Sequence, residues 1–535
     1  MSSVPGMFSL VLHTHLPWFA HHGEWPVGEE LLYQAWGASY IPVVEQLFRL
    51  ADEGYRDIMS LGVTPTVAAQ LDDSHCLQGM TAWLANWQMR AHEAKTYLGT
   101  ESATGDSTNN TPNDSPQLST ADIHAMGQRE LSIAEWTSER YRERWQSGGS
   151  PVLRELGETG VVELLGGPLA HPFQPLLTPP MRTFLLRAGL SDSMLRRHDR
   201  PHGLWAPECA YTPGMEKDYE AAGISHFMVD GPSFRGDTAV GRPVRDSTVV
   251  AFARDLTVSY RVWSPKAGYP GHGDYRDFHT FHHSTGFKPA RVTGRNIGPH
   301  KKQPYDPQRA IQRLDHDVAD FVDTVINRLQ EETTRTGRPA HVVAAFDTEL
   351  FGHWWYEGPL WLGKVLRALD QAGVELGSLD KARRSGYVGA PIELRDCSWG
   401  SGKDWRVWEG PAVSDIVDLN QKLQSELREF ITAVIPARSA QAIRPRNAIA
   451  DQVLQEAVLA LQSDWAFLIS KDTAADYARD RAFLHAHAMR EIIATYLAGD
   501  TAEAEKLCAA WRAADSPFPQ LDARLLRDVY DECVS

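Results

Sequence analysis

Short apolar runs that break abruptly at polar or aromatic residues punctuate much of this chain. Phe8-Ser9-Leu10-Val11-Leu12 runs into His13-Thr14-His15-Leu16-Pro17-Trp18. Val161-Val162-Glu163-Leu164-Leu165 stops at Gly166-Gly167-Pro168, and His226-Phe227-Met228-Val229 stops at Asp230-Gly231-Pro232. Two further runs, Leu204-Trp205-Ala206-Pro207-Glu208 and Val342-Val343-Ala344-Ala345-Phe346-Asp347, end on a carboxylate. Runs of this length between chain breakers predict buried strands. Helical spacing lies between them, most clearly at Ile311, Leu314, Val318, Phe321, Val322, Val325 and Leu329. The alternation predicts an α/β fold with parallel strands, in which functional residues gather at the strands' carboxyl ends.

Two stretches interrupt the rhythm. Residues 101–120 are rich in Ser, Thr, Asn, Asp, Pro and Gly, and read as a disordered surface loop. Helical segments flank it, Met80 to Tyr97 and Ala121 to Trp145, so the whole reads as a helical insertion with a floppy tip. From about Ser414 the strand signals vanish. Leu454, Ala457, Val458, Leu461 and Trp465, then Phe483, Leu484, Ala488, Ile492 and Tyr496, have helical spacing and predict a helical C-terminal domain.

Composition narrows the function classes. A chain of 535 residues suggests two or three domains. A formal charge of -16 argues against a nucleic-acid binder, whose footprint would be a basic face. The 17 Trp lean toward carbohydrate, because an indole offers a flat apolar face for a sugar ring and one hydrogen-bond donor. Cys76, Cys209, Cys397, Cys508 and Cys533 lack CxxC spacing, so reduced thiols and a cytoplasmic location are expected. The segment Met1 to Gly6 lacks the basic region of a signal peptide, and no run is long enough to span a membrane.

The chemistry rests on the carboxylates. Two strand ends bearing Glu208 and Asp347 amid aromatics suit a sugar-cleaving or sugar-transferring site, where one carboxyl attacks and the other moves a proton. His13 and His15 lie on the same side of a strand, a spacing that serves a sugar hydroxyl or a metal. As metal ligands they would need a third partner such as His171, His353 or an Asp. Gly400-Ser401-Gly402-Lys403-Asp404 is not a phosphate loop, and no GxSxG elbow is present. Trp18, Trp25, Trp263, Trp354, Trp355, Trp399, Trp405 and Trp408 fall in loop-like contexts, as in a groove with several sugar subsites.

Five separated motifs carry a specific resemblance. They are Leu12-His13-Thr14-His15-Leu16-Pro17, Glu163-Leu164-Leu165-Gly166-Gly167-Pro168, Leu204-Trp205-Ala206-Pro207-Glu208, Ala345 to His353, and Leu461-Gln462-Ser463-Asp464-Trp465. Together they resemble glycoside hydrolase family 57. Its glucan-branching members are suggested by His22-Gly23-Glu24-Trp25-Pro26, by Val262-Trp263-Ser264 leading to Gly268-Tyr269-Pro270-Gly271, and by Trp399-Gly400 with Trp408. The resemblance implies a distorted (β/α)7 barrel over residues 1–75 and 156–395, a helical insertion over 76–155 and a helical C-terminal domain over 396–535. It implies 1,4-α-glucan branching by a retaining double displacement without cofactor or metal, on an α-1,4-glucan donor and acceptor. Glu208 would be the nucleophile and Asp347 the acid/base, with carboxyl groups roughly 5–5.5 Å apart. His13, His15, His353 and Asp464 would hold the sugar, and Trp25, Trp263, Trp399 and Trp408 would line the groove.

One departure stands out. Branching members of the family carry a Tyr in a lid loop after the fourth strand region, whereas residues 231–245 here contain no Tyr and only Phe234 as an aromatic. The alternatives to branching are an α-amylase or 4-α-glucanotransferase of the same family, a metal-dependent carbohydrate deacetylase with His13 and His15 as ligands, and a non-catalytic glucan-binding protein.

Overall fold

A computed structural model of the chain describes residues 6–97, 118–264, 266–438 and 444–532. Seven parallel strands form its centre: β1 (Gly6–Thr14), β2 (Met59–Val63), β3 (Val162–Leu165), β4 (Gly203–Leu204), β5 (His226–Asp230), β6 (Val250–Arg254) and β7 (Ala340–Asp347). Backbone ladders join them as β7-β1-β2-β3 and as β4-β5-β6. A parallel bridge between Gly166 and Leu204 connects β3 to β4. At the opposite seam the Asp255 N–H, just past β6, donates to the Val343 carbonyl of β7 at 2.8 Å. The result is a distorted seven-stranded barrel with its strands in chain order around the ring.

All nine residues of β1 are buried, as expected where helices or other strands cover both faces of a parallel strand. Its register sets the site: His13 lies beside Asp347 of β7 and beside Gly62 of β2. The apolar stripe of the long helix Pro307–Thr336 packs on the barrel through Leu314, Val318, Phe321, Val322, Val325 and Leu329. Ile311 departs from that stripe and stays 46% exposed, because a cavity rather than the barrel lies beside it.

The insertion contains the helices Ser74–Lys95 and Thr120–Arg140. The Asp73 side chain caps the first, and a reciprocal Ser119–Asp122 capping box starts the second. Residues 101–117 of the expected floppy tip lie outside the described residues. In the C-terminal part the helices Ser414–Val434, Ala448–Ala460, Ser463–Ser470, Ala475–Leu497, Thr501–Ala514 and Ala523–Glu532 follow one another. The apolar spacing from Leu454 to Trp465 therefore covers two helices, and the break at Leu461-Gln462 turns Ser463 and Asp464 toward the barrel.

Residues 231–245, where a lid was expected, form a folded connection. Arg242–Pro243 pairs antiparallel with Val250–Ala251. The Gly241 N–H donates to the Tyr387 carbonyl and the Arg245 N–H to the Ile392 carbonyl, each at 3.0 Å. Phe234 is buried in the core beneath this segment. Cys76, Cys209, Cys397 and Cys508 are free and buried, while Cys533 lies outside the described residues. No described helix is long and apolar enough to cross a membrane.

Candidate active site

The carboxyl ends of the barrel strands and the start of the helix Ser463–Ser470 enclose one cluster of ionisable side chains. Glu208 sits on a single turn after β4 with φ 60° and ψ 18°, and Cys209 follows with φ 49°. Two successive non-glycine residues in the left-handed region are costly, and the surrounding contacts hold them there. The Ser463 hydroxyl donates to Glu208 Oε1 at 2.8 Å, and the Trp399 indole N–H donates to Oε2 at 3.0 Å. The Trp399 backbone N–H also donates to the Glu208 carbonyl at 2.9 Å, so Glu208 is clamped by two other parts of the chain.

Three imidazoles line the approach. His13 stacks on the Trp205 ring with centroids 4.4 Å apart, and one of its nitrogens lies 3.1 Å from His171 Nε2. His15 stacks on His171 at 3.7 Å, hydrogen-bonds Asp464 through Nε2 at 2.9 Å, and meets the Thr64 hydroxyl through Nδ1 at 3.0 Å. His171 Nδ1 lies 3.0 Å from the Ser463 hydroxyl and 4.0 Å from Glu208 Oε1. Burial, then the neighbouring imidazoles, keeps His13 and His171 well below the ordinary histidine range, so both are neutral hydrogen-bonding groups.

The two carboxyls differ in surroundings. Burial raises Glu208 to about 7; the Ser463 and Trp399 bonds oppose that rise, because hydrogen bonds donated to a carboxylate favour its charged form. Asp347 accepts no hydrogen bond from a described side chain. Burial, then the Glu208 charge, raises it to about 7, against Arg254 and His15. Both carboxyls are thus raised to about 7, but only Glu208 is held by hydrogen bonds that favour its charged form. Behind Asp347, burial and then the Asp347 charge raise Glu349 to about 8, while the Tyr40 hydroxyl donates to it at 2.5 Å.

The sequence-selected residues divide into two groups. Glu208, Asp347, His13, His15, Asp464 and Trp399 come together in this cluster. His353 does not join them. It packs against Phe278 and Trp354 with ring centroids 5.3 and 5.8 Å away, on a separate cavity that includes neither carboxylate. Position in the motif implied that His353 sits beside the scissile bond, but the turn at Gly352 (φ 108°) sends the chain away first. Trp408, expected in the groove, is only 2% exposed and stacks face to face on Phe173 at 4.7 Å, so it serves as core. Trp25 is 78% exposed on its loop, and Trp263 is half-buried with its ring 6.0 Å from that of Trp354.

Sequence reasoning did not place His171 or Ser463 in the sugar site, although Ser463 stood inside a quoted motif. His171 lies on a loop past β3, where Ala170 and His171 both have positive φ, and no periodicity marks such a position. Among the described residues two groups of side chains have the donor set for a metal: His15, His171 and Asp464, and, elsewhere, His22, His485 and Asp515. In both, imidazole nitrogens already engage carboxylates, through His15 with Asp464 and His22 with Asp515.

With this geometry in place, comparison with known proteins assigns the class. The chain belongs to glycosyl hydrolase family 57, whose model matches residues 9–386. A second model, described as the C-terminal part of 1,4-alpha-glucan branching enzymes, matches residues 422–526. A probable 1,4-alpha-glucan branching enzyme of Mycobacterium tuberculosis is 57% identical, with 98% of this chain and 99% of the relative covered. A family 57 branching enzyme of Thermococcus kodakaraensis, solved in complex with glucose, superimposes with a TM-score of 0.86 at 27% identity, covering 97% of this chain and 96% of that one. An α-amylase of Thermotoga maritima shares the fold at 22% identity and a TM-score of 0.81, covering 98% of this chain and 99% of its own. The amylase and deacetylase alternatives gain no support over branching.

Proposed function

We infer that this protein is a 1,4-α-glucan branching enzyme, acting by retention through Glu208 and Asp347. The observation that carries the residue roles is the asymmetry of the pair: Glu208 accepts two hydrogen bonds that favour its charge, and Asp347 accepts none from a described side chain. In the first half-reaction Glu208 forms a bond to the anomeric carbon while Asp347 gives its proton to the departing 4-oxygen. The acceptor's 6-hydroxyl then gives its proton to the Asp347 carboxylate and attacks the same carbon, releasing Glu208. His13, His15, His171 and Asp464 bind and orient the sugar at the reacting carbon, with Trp399 as a wall. A cytosolic location fits the four free, buried thiols.

The test is amylose incubated with the wild-type chain, followed by proton NMR for α-1,6 linkages and a reducing-end assay on the same sample. New α-1,6 signal with few new reducing ends is expected. Rising reducing ends without that signal would instead make the chain a hydrolase, and the Tyr-free segment 231–245 would be the first place to look.

A further inference from the structure

A cavity of about 510 Å³ lies between the insertion helices and the connection that follows Asp347, and it includes neither Glu208 nor Asp347. Its volume falls within the range of roughly 300–1,000 Å³ found for small-molecule sites. The inner wall is indole, with Trp83 and Trp87 5.1 Å apart. The rim is apolar and open: Trp354, Phe281, Ile311 and Leu360 are 40–46% exposed. Scattered exposed apolar residues need no explanation, but four around one concavity do.

The polar groups define the ligand. Each of the cavity's carboxylates already has a partner, and of their buried oxygens only Glu357 Oε2 is left bare. Glu130 accepts from the Trp87 indole N–H at 2.9 Å and pairs with Arg276, Glu357 accepts from Tyr305, and Asp277 pairs with Lys302 at 2.6 Å. The remaining cations lie on aromatic faces and pair with no described carboxylate: Lys288 is 3.5 Å from the Phe278 centroid, Arg129 5.6 Å from that of Tyr305 and Arg90 5.4 Å from that of Phe287. Spare donors set among flat apolar faces match the hydroxyls and ring faces of a sugar. Arg90 and Arg129 keep fixed positive charge, so charge alone does not separate a sugar from an anion; the aromatic walls favour the sugar.

Position selects the sugar's role. Trp354, at the mouth, contacts Trp263 edge to face and follows Asp347 on the same connection. We propose that this cavity binds a second stretch of α-1,4-glucan, the acceptor chain, and delivers it from the Asp347 side. The proposal rests on the branching reading. A transferase must hold two chains at once, and Asp347 is the group that takes the proton from the incoming hydroxyl.

The experiment uses full-length Glu208→Gln protein, which cannot turn over, with maltoheptaose as probe and hydrogen exchange as readout. Protection is expected in two places, the carboxylate cleft (residues 204–210 and 397–400) and the cavity walls (83–90, 129–136 and 278–288). Adding Trp354→Ala and Phe281→Ala, both rim positions, should abolish only the second. In the active background the same pair should raise the KM for a long acceptor about tenfold, as losing one or two ring contacts would, with kcat within about twofold. Protection confined to the cleft overturns the proposal and leaves the branching reading intact. No protection anywhere overturns both. Protection of the cavity walls by decanoate but not by maltoheptaose overturns the glucan assignment in favour of an amphipathic anion.

Discussion

Two histidine–carboxylate clusters join the barrel's N-terminal segment to the C-terminal helices, and only one has the makings of a catalyst. In the sealed cluster His22 Nε2 meets Asp515 at 2.7 Å, and His485 Nδ1 donates to Glu456 at 2.9 Å while Arg481 donates to its other nitrogen at 3.0 Å. His485, Glu456 and Asp515 are wholly buried. Burial, then the Asp515 charge, pushes Glu456 well above the ordinary carboxylate range, and burial takes His485 down to about 3. Glu456 and His485 are strongly shifted, yet they and Asp515 are wholly buried. The open cluster combines the same residue types with a clamped carboxylate and an unclamped one beside it, and its His15, Asp347 and Asp464 are part-exposed. Perturbed ionisation therefore does not by itself identify a site; asymmetry and access do.

Breaking each cluster should have opposite consequences. Glu208→Gln should lower transfer activity by about 10⁴-fold or more while leaving thermal unfolding nearly unchanged. Asp515→Ala should do the reverse. Removing one partner from a buried charged network costs roughly 3–5 kcal/mol, read as a lower denaturant midpoint, with kcat per folded molecule preserved.

A pH series sharpens the contrast. In the proposed roles Glu208 acts ionised and Asp347 protonated, and both are raised to about 7, so kcat/KM should trace a narrow bell near neutrality that reports the coupled pair. Trp399→Phe removes a hydrogen bond that favours the Glu208 carboxylate, so Glu208 rises and the acid limb moves to higher pH. An unchanged acid limb would remove Trp399 from that role. The smallest effect concerns Glu349, raised to about 8 from its ordinary value of 4.5. Between those two pH values the folded state keeps a proton that the unfolded chain has lost, so folding stability from this group falls as pH rises through the window. Glu349→Gln should abolish that decline, and its melting temperature at pH 8 should exceed the wild type by roughly 2 °C.

The strands carrying His13, Glu208 and Asp347 were legible because a buried parallel strand leaves an apolar run and a polar terminus in the sequence. β2 left a weaker trace, since Ser60 and Gly62 interrupt Met59 to Val63. The sugar site was less legible than the strands. His171 reaches it through a positive-φ loop, and Ser463 through a helix start distant in sequence, neither of which leaves a periodic signal. The error at Trp408 has the opposite cause: a Gly-rich context suggested a loop aromatic, but those glycines let the chain pack closely over the ring, where a Cβ at Gly400 would lie 2.7 Å from it.

Ser463 touches Glu208 and His171, and its backbone N–H donates to the His171 carbonyl at 3.1 Å. A barrel separated from the C-terminal helices would keep both Glu208 and Asp347 and lose part of the clamp on Glu208. Catalysis is thus a gauge of docking between two parts of the chain: on heating, turnover should fade when they part, ahead of the barrel's own melting. A chimera would work only if the Ser463 turn and the barrel loops it grips were exchanged as one unit.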